Sequence, residues 1–347
     1  MPSSTSSSET SSRFPWALVV AVAALLFSER ALWTSRPWLE LCARYASPFR
    51  FSDPLRTEAR IRLLPTHEAS PPILLIGSSQ ILEGLECEPF WARFPGRTCV
   101  NLGIAGGTPL DVLFLADRID ARLPRRTLIT GLFPQTLHSA PRAAYSDGGT
   151  LSCLYRTRSL FRMSPKEWID IVLYGQIQNL VPTLRMKDSL AELWSVISPD
   201  PMAAWRFEMP PQPPNNLDRK DPRPPKFFRK LRGVVEPTIA PGRFTAAHER
   251  ALTEVIDREL DRGNHMIVID FPTRDGYETT ITPEAVEHHR KLVQRLVARG
   301  DVEVVRARDL PPLTNDDFHD FTHVRASGRH ILSERIAEIL ARVEGAR

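Results

Sequence analysis

The sequence predicts an α/β fold built on a doubly wound sheet of about five parallel strands. Two observations carry that prediction. Short, largely apolar runs alternate with longer amphipathic stretches, and Gly or Gly-Ser punctuation falls between them. Continuous apolar runs suit strands covered on both faces by helices. Strand–helix–strand alternation makes successive strands parallel.

The elements follow in order from residue 72. "ILLIG" (73–77) reads as the first strand and "RTCVNLG" (97–103) as the second. "PLDVLFLADRIDARL" (109–123) is an amphipathic helix, with Val112, Leu115, Ala116 and Ile119 along one face. "TLITGLF" (127–133) is the third strand. The alternation then stops, and roughly 135–242 reads as an insertion. Within it, "SPKEWIDIVLYGQIQNLV" and "DSLAELWSVI" are helical in pattern, whereas "MPPQPPNNLDRKDPRPPKFFRK" is a proline-rich loop or arm. A helix follows, with Leu252, Val255, Ile256 and Leu260 as its apolar stripe and Gly263 at its stop. "MIVIDF" (266–271) is the fourth strand. The next helix takes Thr282 as N-cap, Pro283 in its first turn and Gly300 at its end. "DVEVV" (301–305) is the last strand and "ILSERIAEILARV" the closing helix.

The N-terminal stretch is of another kind. Residues 1–13 form a polar tail rich in serine. "FPWALVVAVAALLF" carries no charge, and its continuation through "SERALW" reaches the length of a membrane span. Residues 14–34 are therefore expected to be a signal-anchor transmembrane helix, with Trp16 and Trp33 at its two boundaries; a cleaved signal peptide, without a small-x-small cleavage site after the apolar run, and a buried soluble helix are the alternatives. Residues 35–71 then form a linker, and 72–347 the α/β domain. Arginines are denser after the span than before it, which favours a cytoplasmic body. Long domains cross membranes regardless of such counts, however. The expected location is the cell membrane, single-pass, with the folded domain extracytoplasmic.

Composition excludes several function classes. A net charge of +4 over 347 residues, without a basic block, gives no reason to expect nucleic acid. Cys42, Cys87, Cys99 and Cys153 lack metal-ligand spacing, so neither a metal nor another cofactor is expected. In an exported chain Cys87 and Cys99 form a candidate disulfide; buried free thiols are the alternative.

In an open parallel sheet the ligand site lies beyond the carboxyl ends of the strands. "GSSQ" (77–80) stands at the end of the first strand. A serine hydroxyl becomes a nucleophile when a histidine takes its proton and a carboxylate orients the ring. "NDDFHDFTHVRASG" (315–328), after the last strand, supplies Asp320 and His323 at Asp-x-x-His spacing. Ser78 competes with Ser79 as nucleophile. Either serine also fits a tight turn. His319, Asp316 and Asp317 lie at the same edge as His323 and read as solvated or as a substrate rim. Asp270 and Asp275, after the fourth strand, fit a turn, and His288-His289 a surface helix. His138 is a weak candidate for substrate contact.

These blocks together resemble the SGNH (GDSL-like) hydrolases, whose fold is a flavodoxin-like doubly wound sheet. "IGSSQI" matches that family's first block, with Ser78 in place of its aspartate and Ser79 on the nucleophile. "NLGIAGGTP" matches the second block through Asn101, Gly103 and Gly106. "DFTHVRASG" supplies Asp320 and His323 as the last two members of a triad. The resemblance implies an oxyanion hole made by the backbone N–H groups of Ser79 and Gly106, with Asn101 as a further oxyanion or substrate contact. The third block departs: Phe133 stands where the family has an asparagine donor, and Gln135 is a nearby candidate replacement. The Gly-Ser-Ser block, the anchor and the insertion resemble the membrane-anchored branch, which includes the DltD family of teichoic-acid D-alanylation and the alginate O-acetylation proteins. The resemblance implies an esterase or O-acyltransferase acting through an acyl-enzyme on acyl esters of an envelope polysaccharide or polymer. It also implies a membrane-bound O-acyltransferase as partner. The alternative is a weakly active or inactive accessory protein assisting that acyltransferase.

Overall fold

The computed structural model describes residues 16–45, 53–64, 70–104, 107–120, 122–138, 243–318 and 320–345. The expected helices at 164–181 and 188–197, and most of the insertion, lie outside the described residues.

The centre is a five-stranded sheet, all parallel, in the order β2-β1-β3-β4-β5. The strands are β1 (Ile73–Leu75), β2 (Cys99–Asn101), β3 (Thr127–Leu132), β4 (His265–Asp270) and β5 (Glu303–Val305). This order is that of flavodoxin-like doubly wound sheets, and its reversal point lies between β1 and β3. β1 is only three residues long, yet hydrogen bonding to its neighbours continues past it. Ile76 N–H donates to Ile129 O at 2.9 Å and Ile104 N–H to Gly77 O at 2.8 Å. Pairing therefore runs up to the Gly-Ser-Ser turn itself.

Strand alternation divides the core into two layers. Leu74, Ile76, Leu128, Leu132, Met266 and Val268 face one way, against α6 (Pro109–Asp120), α8 (Arg243–Asp261) and α9 (Pro283–Arg299). Ile73, Leu75, Ile129, Ile267 and Ile269 face the other, against α4 (Ser79–Gly84), α5 (Glu88–Arg93) and α10 (Ala326–Gly345). A short helix, α7 (Pro134–His138), follows β3. The expected capping of α9 is present: the Thr282 side chain accepts from Ala285 N–H, Pro283 opens the helix and Gly300 ends it in the left-handed region at φ 71°.

Two helices lie within the stretch expected to be a linker. α2 (Arg36–Tyr45) and α3 (Asp53–Leu63) pack on the end of α1 (Trp16–Thr34). Trp33, Leu39, Cys42 and Ala59 form a small separate core there. Its sequence signal is weak because each helix contributes only one or two buried side chains. Glu29 is buried and accepts from Trp33 Nε1 at 3.2 Å. The earlier turns of α1 expose Trp16, Val20, Leu25 and Phe27. Among the described residues no helix is long and apolar enough to cross a membrane; the expected span begins at residue 14, outside them.

Candidate active site

The carboxyl ends of β1 and β3 and the loop after β5 meet at one edge. The Gly-Ser-Ser turn leaves β1 and passes directly into α4, with Ser78 as its N-cap residue and Ser79 as its first helical residue. That placement separates the two serines. Ser78 is buried, and its Oγ donates to Gln80 Oε1. Ser79 turns the other way, and its Oγ lies 2.8 Å from His323 Nε2.

The loop carrying His323 is held at its neck. Phe318 and Val324 form an isolated antiparallel bridge. Arg325 N–H donates to Asp317 O at 2.6 Å, and Arg325 Nε donates to Phe318 O at 3.1 Å. Asp317 is not a loose rim residue: it accepts from Thr314 N–H and Oγ1 at 2.8 and 2.9 Å and from Ser327 Oγ at 2.9 Å. Arg274 N–H donates to Phe321 O at 2.9 Å and so ties the loop to the segment after β4. Asp275 accepts from Asn315 Nδ2 at 3.2 Å, a further tie between the same two segments.

Within this pinned loop, His323 Nδ1 lies 3.0 and 2.9 Å from the two carboxyl oxygens of Asp320. Asp320 Oδ1 also accepts from the backbone N–H groups of Thr322 and His323, at 2.9 and 3.0 Å. Burial pushes the Asp320 carboxyl up. The His323 ring and these N–H donors outweigh burial and hold it well below the usual carboxylate range. An ionised carboxylate only accepts, so Nδ1 carries the ring proton and Nε2 is left to accept from the Ser79 hydroxyl. The ordered contact Ser–His–Asp is that of an activated serine.

Helix α4 has six residues, so its terminal carbonyls have few partners within the helix. Asn101, at the end of β2, supplies them. Its Nδ2 donates to Ile81 O and Leu85 O, both at 2.9 Å, while its Oδ1 accepts from Gly103 N–H at 2.9 Å. The sequence suggested an oxyanion or substrate contact for Asn101; the fold uses its amide to hold the helix that carries Ser79. From the opposite side, Arg329 Nε of α10 donates to Glu83 O at 2.7 Å. Neither clamp has a local signature, because each joins elements far apart in the chain.

Backbone lies close around the Ser79 turn. The Ser79 N–H stands in the first turn of α4, where an N–H has no acceptor within the helix. Gly106 lies outside the described residues. Its neighbour Gly107 packs against the nucleophile turn so closely that a Cβ there would stand 2.9 Å from Gly77 O and 3.3 Å from Ser78 Cα. Phe133 is buried with Tyr277 and Ile281, its ring centroid 6.4 Å from that of Tyr277, and it brings no polar group to the third-block position. Gln135 is half-buried in α7. His319 and the side chain of His138 are outside the described residues.

One arrangement had no sequence signal. Asp270, at the carboxyl end of β4, lies 3.3 Å from His289 Nε2 of α9 and accepts from Ala307 N–H at 3.4 Å. Burial pushes its carboxyl up to about 6, against the opposing Ala307 N–H. His288 faces Glu249 of α8 instead, at 3.1 Å.

No family model matches the chain, and no curated protein matches it in sequence.

Proposed function

We propose that the protein is an SGNH-type serine esterase or O-acyltransferase, tethered to the membrane by its N-terminal helix, with its folded domain extracytoplasmic. The reading rests above all on the contact of Ser79 with His323 and of His323 with Asp320. In this scheme Ser79 attacks an ester carbonyl while His323 Nε2 takes the hydroxyl proton. Asp320 holds the ring and stabilises the imidazolium. The backbone N–H of Ser79, with that of Gly106, receives the oxyanion. His323 then returns the proton to the leaving alcohol, and an acyl-enzyme remains. A second acceptor, water or a hydroxyl of an envelope polymer, reverses the sequence and frees Ser79. The resemblance to the membrane-anchored branch favours an acylated envelope glycan or polymer as substrate and a membrane-bound O-acyltransferase as partner. The exposed apolar side chains of α1, Val20 and Phe27 among them, favour the tether.

A fluorophosphonate probe on the full chain tests the reading. Labelling of wild type and Ser78→Ala, with none of Ser79→Ala, supports it. A folded wild type that takes no label overturns it. Turnover of small acetyl esters without any partner would assign hydrolysis; acyl transfer only beside the membrane acyltransferase would assign transfer.

The buried Phe133 supports a second reading, an accessory protein that binds acylated polymer without turning it over. Loss of one side-chain donor from an oxyanion hole costs roughly 10²–10³ in rate. Polymer binding unaffected by Ser79→Ala, together with absent labelling, would select that reading.

A further inference from the structure

Cys87 and Cys99 meet in the fold. Cys87 precedes α5 as its N-cap residue, and Cys99 opens β2, the edge strand of the sheet. Both are buried in the same apolar layer, and Cys87 is near enough to bear on the Cys99 thiol. Both also line an open groove of about 440 Å³ bounded by Arg56, Arg60, Glu88 and Trp91, so a reagent in solution has a path to them. Cys42 belongs to the separate core beside α1, and Cys153 lies outside the described residues.

We propose that Cys87 and Cys99 are an oxidisable pair. They form a disulfide that ties α5 to the sheet edge when the protein meets a disulfide donor of the thiol–disulfide oxidoreductase class. Cys87, at the groove, attacks the donor disulfide as thiolate and forms a mixed disulfide, expelling one donor thiolate. That thiolate takes up the proton Cys87 shed; Cys99 Sγ then attacks Cys87 Sγ while its own proton passes to the second donor sulfur, which leaves as a thiol. Two protein thiols are oxidised and one donor disulfide is reduced to two thiols. Burial pushes the Cys99 thiol far up, so Cys99 is poorly suited to start the exchange.

The cross-link closes a loop around α5, two residues before Asn101, and so stiffens the strand that clamps the Ser79 helix. It does not depend on the serine chemistry and is expected equally in Ser79→Ala.

The test equilibrates the full chain with glutathione disulfide, then unfolds it, alkylates it and maps its peptides. The expected result is a mass lower by two hydrogens, Cys87 and Cys99 peptides joined, and a melting temperature several degrees above that of the reduced form. Cys42→Ser with Cys153→Ser is expected to retain the link; adding Cys87→Ser is expected to abolish it. Should these variants fold poorly, the wild-type peptide map decides. Both sulfurs still open to alkylation after oxidation, or each carrying glutathione separately, would overturn the proposal.

Discussion

Asp320 presents both carboxyl oxygens to His323 Nδ1, at 3.0 and 2.9 Å, from three residues earlier in one pinned loop. The carboxylate fixes the tautomer, so its charge matters more than its shape. Asp320→Asn keeps the shape but lets the amide donate to Nδ1, which turns the proton to Nε2 and leaves no acceptor for Ser79. The expected loss is roughly 10⁴-fold in the rate of fluorophosphonate labelling, with folding intact by circular dichroism.

Two carboxylates should move stability in opposite directions with pH. Asp320 is held below its ordinary value in the fold, so its contribution is full above about pH 4 and is lost as pH falls further. Asp270 is raised from 3.8 to about 6. Below about pH 4 it is protonated in both states and costs nothing. As pH rises to about 6 the unfolded chain ionises first, and stability falls. Asp270→Asn is therefore expected to add on the order of 1–3 kcal/mol at about pH 8, less where His289 offsets the charge, and nothing at about pH 4. Urea melts at the two pH values check this; an equal gain at both would refute it.

Asn101→Ala removes the bonds to Ile81 O, Leu82 O and Leu85 O at the end of α4 and one from Gly103 N–H. A looser helix misplaces Ser79 without changing what holds substrate. We expect kcat to fall about 10²-fold with KM little changed. A rise in KM alone would instead make Asn101 a substrate contact.

Gly131 of β3 lies beneath Phe271, where a Cβ would stand 2.6 Å from the ring; the same ring leaves only 2.8 Å for a Cβ at Gly84 of α4. Gly131→Ala is expected to cost about 1–3 kcal/mol by overpacking. Because the obstacle is a side chain, Phe271→Leu in the same chain should recover part of that loss. Additive costs in the double-mutant cycle would show that the two sites are not coupled.

The sequence alone determined what is local. Apolar runs marked five strands, a Thr-Pro opening and a Gly stop bounded α9, and the spacing of Asp320 and His323 placed a carboxylate within reach of an imidazole. Such features depend on neighbours in the chain, so a linear reading recovers them. The tertiary structure decided what depends on distant partners. It turned the Ser79 hydroxyl toward a histidine 244 residues away and that of Ser78 toward Gln80. It gave Asn101 to the carbonyls of α4, drew Asp270 to His289, and sealed the foot of β3 with wholly buried Arg126, whose Nε donates to Glu259 at 2.9 Å across 133 residues. The physical reason is common to all four. A buried polar group must find a partner wherever the sheet order brings one, and sheet order is set by packing both faces of every strand at once, which no short stretch of chain encodes.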